Sequence, residues 1–111
     1  ASLPELKVRG PQSGKLLVVG WGGTYGHILS AVSEVEGVSF AHFDYILPLP
    51  ANTGDVLSSF EKVLVCELNS GQFARYLRGL FPGVDIRQCN KVQGQPFLVT
   101  EIVDAIRDLL Q

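Results

Sequence analysis

Apolar residues recur along this chain in two alternating patterns, one typical of strands and the other of helices. Short apolar runs predict strands, and stretches with an apolar residue every three or four positions predict helices. The predicted strands are Leu16–Val19, Val38–Phe43, Val63–Cys66 and Val84–Arg87. The predicted helices are Thr24–Val35, Asp55–Phe60, Gly71–Phe81 and a final amphipathic helix that ends near Leu110 and is capped by the Thr100 hydroxyl.

Strands that alternate with helices predict one α/β domain, over residues 15–111. Each parallel strand pair needs a crossover, so we expect a mainly parallel sheet with helices on both faces, a Rossmann-like three-layer sandwich. Residues 1–14 contain two prolines and two glycines and are interpreted as a linker with one short strand at Leu6–Val8. Ligands or partners of such sheets usually meet the loops after the strands, here Gly20–Thr24, Asp44–Thr53, Glu67–Gln72 and Asn90–Pro96.

Composition and charge indicate a single globular domain and argue against several classes of partner. A hydrophobic share of 46% over 111 residues supplies one core rather than two. Nine basic and eleven acidic residues, without a block of like charge, argue against a nucleic acid or an anionic membrane as partner. The longest apolar stretch is far shorter than the roughly 18 residues of a membrane-spanning helix, so we expect a soluble, cytoplasmic protein. A chain that begins at Ala1 and stops after a helical pattern suits a domain of a longer polypeptide.

The two cysteines lie in apolar, strand-like surroundings. Cys66 and Cys89 are therefore predicted to be reduced thiols inside the domain. A disulfide would require both neighbouring strands and an oxidising compartment. Neither cysteine belongs to a spacing typical of a zinc site, and no metal site is predicted.

A glycine-rich turn follows the first predicted strand and opens a helix. The backbone amides of Gly22, Gly23 and Thr24 are weak candidates for an anion site there. The spacing departs from Gly-x-Gly-x-x-Gly because its sixth place falls on Tyr25, which favours a packing turn over a cofactor loop. Asp44, about 20 residues further on, is where a ribose ligand would stand and keeps a nucleotide-binding interpretation open.

The remaining polar residues favour structural roles. Asn69 or Ser70 is predicted to cap the helix that follows the strand ending at Glu67. His27 and His42 have no nucleophile at a recognisable spacing and are interpreted as surface or core histidines. General acid–base catalysis usually needs a tuned pair of groups or a histidine beside the reacting atom, and the sequence shows no such set.

Four segments near the ends of the predicted strands form a recognisable set. They are Leu17–Gly26 (LVVGWGGTYG), Tyr45–Pro50 (YILPLP), Val65–Gln72 (VCELNSGQ) and Lys91–Phe97 (KVQGQPF). Together they resemble the α subunit of 2-oxoacid (2-oxoglutarate):ferredoxin oxidoreductases, over roughly residues 15–110. The last segment is the most specific, and Gly23 stands where this family often has a serine.

The resemblance implies a fold, an activity and a set of cofactors. The fold is a transketolase C-terminal-like three-layer α/β/α sandwich, whose mostly parallel five-stranded sheet has one antiparallel edge strand that Leu6–Val8 would supply. The whole enzyme would oxidatively decarboxylate 2-oxoglutarate or a related 2-oxoacid to an acyl-coenzyme A and reduce ferredoxin. It would use thiamine diphosphate, Mg²⁺, an iron–sulfur cluster and coenzyme A. No catalytic or cofactor residue of that family carries over onto this chain.

The leading hypothesis is therefore a non-catalytic assembly domain, inactive by itself. Its implied partners are the preceding domain of the same α subunit and the β subunit, with ferredoxin as partner of the whole enzyme. The predicted interface residues are Pro48, Pro50, Asn69, Gln72, Lys91, Gln93 and Gln95. The alternative is an independent small-molecule or nucleotide-binding module that uses the Gly20–Gly26 turn.

Overall fold

A computed structural model describes residues 5–21, 24–44, 49–67, 72–90 and 98–111. Strands and helices alternate in it after a short first strand, as the apolar pattern predicts. The strands are β1 (Val8–Arg9), β2 (Gly14–Trp21), β3 (Ser39–Phe43), β4 (Phe60–Glu67) and β5 (Ile86–Asn90). The helices are α1 (Tyr25–Ser33), α2 (Thr53–Ser58), α3 (Gln72–Leu80) and α4 (Val99–Leu110).

The five strands form one sheet in the order β1-β3-β2-β4-β5. Three neighbouring pairs are parallel, and β1 pairs antiparallel with β3. This confirms the predicted five-stranded, mostly parallel sheet with one antiparallel edge strand. Both faces of the central strands are buried, which explains why Leu16 to Val19 form an unbroken apolar run rather than an alternating one.

Helices cover the two faces of the sheet and produce two separate hydrophobic clusters. On one face α2 and α3 contribute Leu57, Phe73, Ala74 and Leu77. On the other face α1 and α4 contribute Ile28, Ala31, Ile102, Val103 and Ile106. The three-layer arrangement is thus built from two clusters that share only the sheet between them.

The bounds of several elements differ from the sequence prediction, and two of the differences have a clear cause. The edge strand lies at Val8–Arg9 rather than Leu6–Val8, because both backbone groups of Leu6 are hydrogen-bonded to the Asn52 side chain instead of to a strand. Asn52 Oδ1 accepts a hydrogen bond from the Leu6 N–H at 2.8 Å, and Asn52 Nδ2 donates one to the Leu6 carbonyl at 2.9 Å. The second helix occupies Thr53–Ser58 instead of Asp55–Phe60, since Phe60 already belongs to β4.

The predicted cap of the last helix is wrong. Helix α4 begins at Val99, so Thr100 lies inside its first turn. The cap comes from Glu101, whose carboxylate accepts a hydrogen bond from the Leu98 N–H at 2.9 Å. A glutamate three residues after the capping position serves as well as a hydroxyl there, because its side chain reaches back to a backbone amide that lacks a helical partner.

Candidate functional site

The carboxyl ends of the parallel strands meet at one edge of the domain, the carboxyl edge. The register pairs Trp21 with Phe43 and Gly20 with Cys66, and Glu67 with Asn90 on the outer strand. The four predicted loops therefore leave the sheet at the same level. The structure thus brings the ends of β2, β3, β4 and β5 to one edge of the sheet, where open α/β sheets usually bind ligands or partners.

Most of the predicted site residues lie outside the described residues. They are Gly22, Gly23, Pro48, Asn69, Lys91, Gln93 and Gln95, together with Ser70. Thr24 is buried, and its hydroxyl donates to the Trp21 carbonyl at 3.4 Å within the turn. Gln72 is exposed as the first residue of α3, whereas Pro50 is buried and its carbonyl accepts a hydrogen bond from the Thr53 hydroxyl at 2.7 Å.

Glu67 caps the start of α3, whereas the predicted caps, Asn69 and Ser70, lie outside the described residues. It is the last residue of β4 and only 2% exposed. Its carboxylate oxygens accept hydrogen bonds from the backbone amides of Phe73 at 2.8 Å and Ala74 at 2.9 Å, in the first turn of α3. A negative charge at this position also interacts favourably with the helix dipole. The carboxylate thus fixes the start of α3 to the end of β4.

Every buried polar side chain of the described chain is bonded to backbone. Four such side chains exist among the described residues: Thr24, Ser39, Thr53 and Glu67. The three hydroxyls donate to backbone carbonyls, of which Pro11 supplies the one for Ser39, and Glu67 accepts from two amides. Among the described residues no buried side-chain oxygen or nitrogen lacks a partner. These groups stabilise the fold, and none of them is aimed at an open site.

The two cysteines are direct cross-strand neighbours. Cys66 on β4 pairs in register with Cys89 on β5, so one of the two conditions for a disulfide is met, yet both are free thiols. The hydrogen bond with Cys89, followed by burial, raises the pKa of the Cys66 thiol well above its ordinary value. Both causes favour the protonated thiol, which is the unreactive form.

A groove of about 410 Å³ lies at one corner of the carboxyl edge. It is lined by Lys7, Val8, Arg9, Tyr25, Phe40, His42 and Asp44. His42 Nδ1 lies 3.5 Å from a carboxylate oxygen of Asp44, and the Tyr25 and His42 rings meet edge to face with centroids 5.1 Å apart. Asp44, the candidate ribose ligand, therefore follows β3 directly and faces a histidine. His27 is exposed on α1 and lies outside this groove.

The described residues do not fit the metal groups that the resemblance implies for the whole enzyme. No three histidine, cysteine, aspartate or glutamate side chains of the described ranges come together as a metal site. The chain contains two cysteines in all, which is fewer than the four that an ordinary iron–sulfur cluster needs. No helix within the described ranges is long and apolar enough to cross a membrane.

Comparison with known proteins gives two informative matches, while no family model matches the chain. The chain is 42% identical, over 97% of its length, to the 2-oxoglutarate oxidoreductase subunit KorA of Mycobacterium tuberculosis, and covers 17% of that protein. Its fold matches the 2-oxoglutarate:ferredoxin oxidoreductase of Magnetococcus marinus, solved with 2-oxoglutarate, coenzyme A and succinyl-CoA bound, with a TM-score of 0.86 and 22% identity over 98% of this chain. It covers 20% of that solved chain, so it spans about a fifth of the proteins it matches.

Proposed function

We propose that this chain, which corresponds to a segment of a 2-oxoacid:ferredoxin oxidoreductase subunit, is a non-catalytic domain that connects parts of that enzyme through its carboxyl edge. The observation that carries the proposal is the 42% identity to an oxidoreductase subunit over 97% of the chain. The bonding of its buried polar groups supports the non-catalytic role, because Glu67, a buried carboxylate at the carboxyl edge, is engaged by two amides of α3.

The whole enzyme, in this proposal, converts 2-oxoglutarate or a related 2-oxoacid to an acyl-coenzyme A and reduces ferredoxin. Thiamine diphosphate, Mg²⁺, an iron–sulfur cluster and coenzyme A would supply the chemistry from sites outside this chain. The chain would be the transketolase C-terminal-like domain of the α subunit, in contact with the preceding domain of that subunit and with the β subunit. The isolated chain is expected to be inactive.

The proposed contact surface consists of the polar residues at the carboxyl edge. Gln72 is its exposed member among the described residues, and Lys91, Gln93 and Gln95 follow the end of β5 in sequence. A surface with long amide side chains suits a polar interface between domains of one assembly, since such interfaces are more polar than a domain core. The Glu67 bonds would hold Gln72 in place by fixing the first turn of α3.

The test replaces two of these glutamines in the complete enzyme. We expect Gln93→Ala combined with Gln95→Ala to change the stability of the domain by less than about 0.5 kcal/mol, the usual size of the effect of a surface substitution. Association of the subunits, measured by analytical ultracentrifugation, should weaken, and 2-oxoglutarate-dependent viologen reduction should fall in proportion on the same preparation. Gln12→Ala serves as the control for the loss of an exposed glutamine: Gln12 lies in the connection before β2, where its side chain donates to the carbonyls of Val8 and Gly10, and it is not a predicted contact residue.

The outcomes separate assembly from catalysis. Association and activity that both match the unmodified enzyme would exclude the carboxyl edge as the contact. A loss of activity with intact association would place this domain at the substrates and contradict the non-catalytic role. Activity of the isolated 111-residue chain in the viologen assay would contradict it as well.

A further inference from the structure

Basic side chains line the groove at the carboxyl edge, although the chain as a whole carries a net charge of −2. Lys7 and Arg9 come from the edge strand segment, and His42 comes from β3. In the antiparallel pairing of β1 with β3, Arg9 lies opposite Phe40, and Val8 lies opposite Ala41. The same register, continued by one residue, places Lys7 opposite His42. Residues two apart on a strand project to the same face, which explains why Lys7 and Arg9 both line this groove.

The two cations of the edge strand are not neutralised by the described chain. Neither Lys7 nor Arg9 forms an ion pair with a carboxylate of the described residues. The one acidic side chain of the lining, Asp44, lies beside His42 at 3.5 Å and is 81% exposed. With His42 neutral, the lining carries two positive charges against one negative charge, so the groove is locally cationic.

Arg9 is held in a defined position. Its guanidinium carbon lies 5.7 Å from the centre of the Tyr25 ring, which is the geometry of a cation–π contact. The Tyr25 ring is fixed in turn by packing at 5.6 Å against Phe40, a residue that is 1% exposed. A guanidinium whose orientation is already set loses less conformational entropy when it binds an anion.

We propose that this groove is an oxyanion-binding site, in which Arg9 and Lys7 bind the phosphate or carboxylate group of a small ligand. A volume of about 410 Å³ suits a small-molecule site and leaves room for a body attached to that group. Its place at the carboxyl ends of the strands is where open α/β sheets bind ligands. The site differs from the proposed interface in the described residues, because its cations precede or belong to β1 and neither Pro50 nor Gln72, the described contact residues, lines it.

The test is a titration of the protein followed by two-dimensional ¹H–¹⁵N NMR. Inorganic phosphate and malonate, which carry similar charge, are added separately at constant ionic strength, with chloride as the reference salt. We expect saturable shifts of the amides of Val8, Arg9 and His42, with a dissociation constant in the millimolar range. Saturation by phosphate alone identifies a phosphate ligand, and saturation by malonate identifies a carboxylate ligand.

Variants identify the cations responsible. Arg9→Gln and Lys7→Gln should each weaken binding by about tenfold, the loss expected for one charge-assisted hydrogen bond, and the double variant should abolish it. Arg9→Lys should weaken it less than Arg9→Gln, because the charge is kept. Lys15→Gln is the matched control: it removes the same charge from an exposed position on β2 and should leave affinity unchanged.

Three results would overturn the proposal. They are the absence of saturable shifts at tens of millimolar of either anion, shifts that map away from the groove, and equal affinity of Arg9→Gln and Lys15→Gln. The spectra report the fold of each variant in the same experiment. A titration without binding would contradict the anion site but not the proposed interface, which the subunit-association experiment tests independently.

Discussion

Replacement of Glu67 by alanine should destabilise the domain strongly, although the residue lies at its edge. The side chain is 2% exposed and accepts two backbone hydrogen bonds, from Phe73 at 2.8 Å and Ala74 at 2.9 Å. Alanine would remove both acceptors at once. The two amides lie in the first turn of α3, where no preceding helical carbonyl is available to accept from them.

The magnitude follows from these two bonds. A hydrogen bond to a charged group contributes about 1.5–3 kcal/mol, and loss of a helix cap costs about 0.5–2 kcal/mol. Water entering the space left by the side chain would recover part of the loss, so we expect a decrease of about 2–4 kcal/mol in the free energy of unfolding. At about 4 °C per kcal/mol for a domain near this size, the melting temperature should fall by about 8–16 °C.

Urea unfolding followed by circular dichroism measures this change directly. Glu67→Gln should cost about half as much as Glu67→Ala, because the amide oxygen can accept one of the two bonds. Glu61→Ala is the matched control: Glu61 lies on the same strand but is exposed, so its loss should stay within about 0.5 kcal/mol. If Glu67→Ala and Glu61→Ala have equal effects, the carboxylate does not stabilise α3 as argued.

Two further predictions concern close contacts in the core. Gly20→Ala would place a methyl group 2.3 Å from Ile28 Cδ1 and should lower the free energy of unfolding by about 1–3 kcal/mol. Gly26→Ala, on an exposed turn of α1, would place its methyl group where no other atom lies within 4 Å, so it should be neutral or stabilising. Thermal unfolding of the two variants compares their stabilities. The raised pKa of Cys66 should keep it protonated at neutral pH, so iodoacetamide should modify Cys89 well before Cys66 in the folded protein. Mass spectrometry of the alkylated peptides shows which cysteine is modified first, and faster modification of Cys66 would contradict its buried, protonated state. Thiol titration in denaturant without reductant should find two free thiols.

The layer order was predictable from local patterns. Strands buried on both faces need continuous apolar runs, and Val63 to Cys66 form one on β4, an interior strand of the sheet. Helix α3 was recognisable because Phe73 and Leu77 recur at helical spacing, and both are buried against the sheet. The antiparallel edge strand was implied by the family resemblance, since two residues carry too little pattern to predict one.

Contacts between residues distant in sequence were not predictable. Asn52 bonds to both backbone groups of Leu6 across 46 positions, so the edge strand begins at Val8, two residues later than its apolar residues suggest. The pairing of β1 with β3 likewise brings Arg9 next to Phe40 and creates the groove. Lys7 lay in the short strand predicted at Leu6–Val8 and Arg9 in the linker after it, and no local signal marked either residue as part of a site.

Whether a residue at the carboxyl edge could act in catalysis depends on its hydrogen bonds as well as on its residue type. A carboxylate at the end of a buried strand satisfies the usual criterion for an acid–base residue, but its availability depends on what it already binds. Glu67 has both carboxylate oxygens in bonds to α3, so protonation of the carboxylate would weaken the bonds that fix the start of that helix. The same cost applies to Thr24, whose hydroxyl donates to the turn it belongs to. In the lining of the groove, by contrast, Lys7 and Arg9 form no ion pair with a described carboxylate, so both side chains are available to bind an anion.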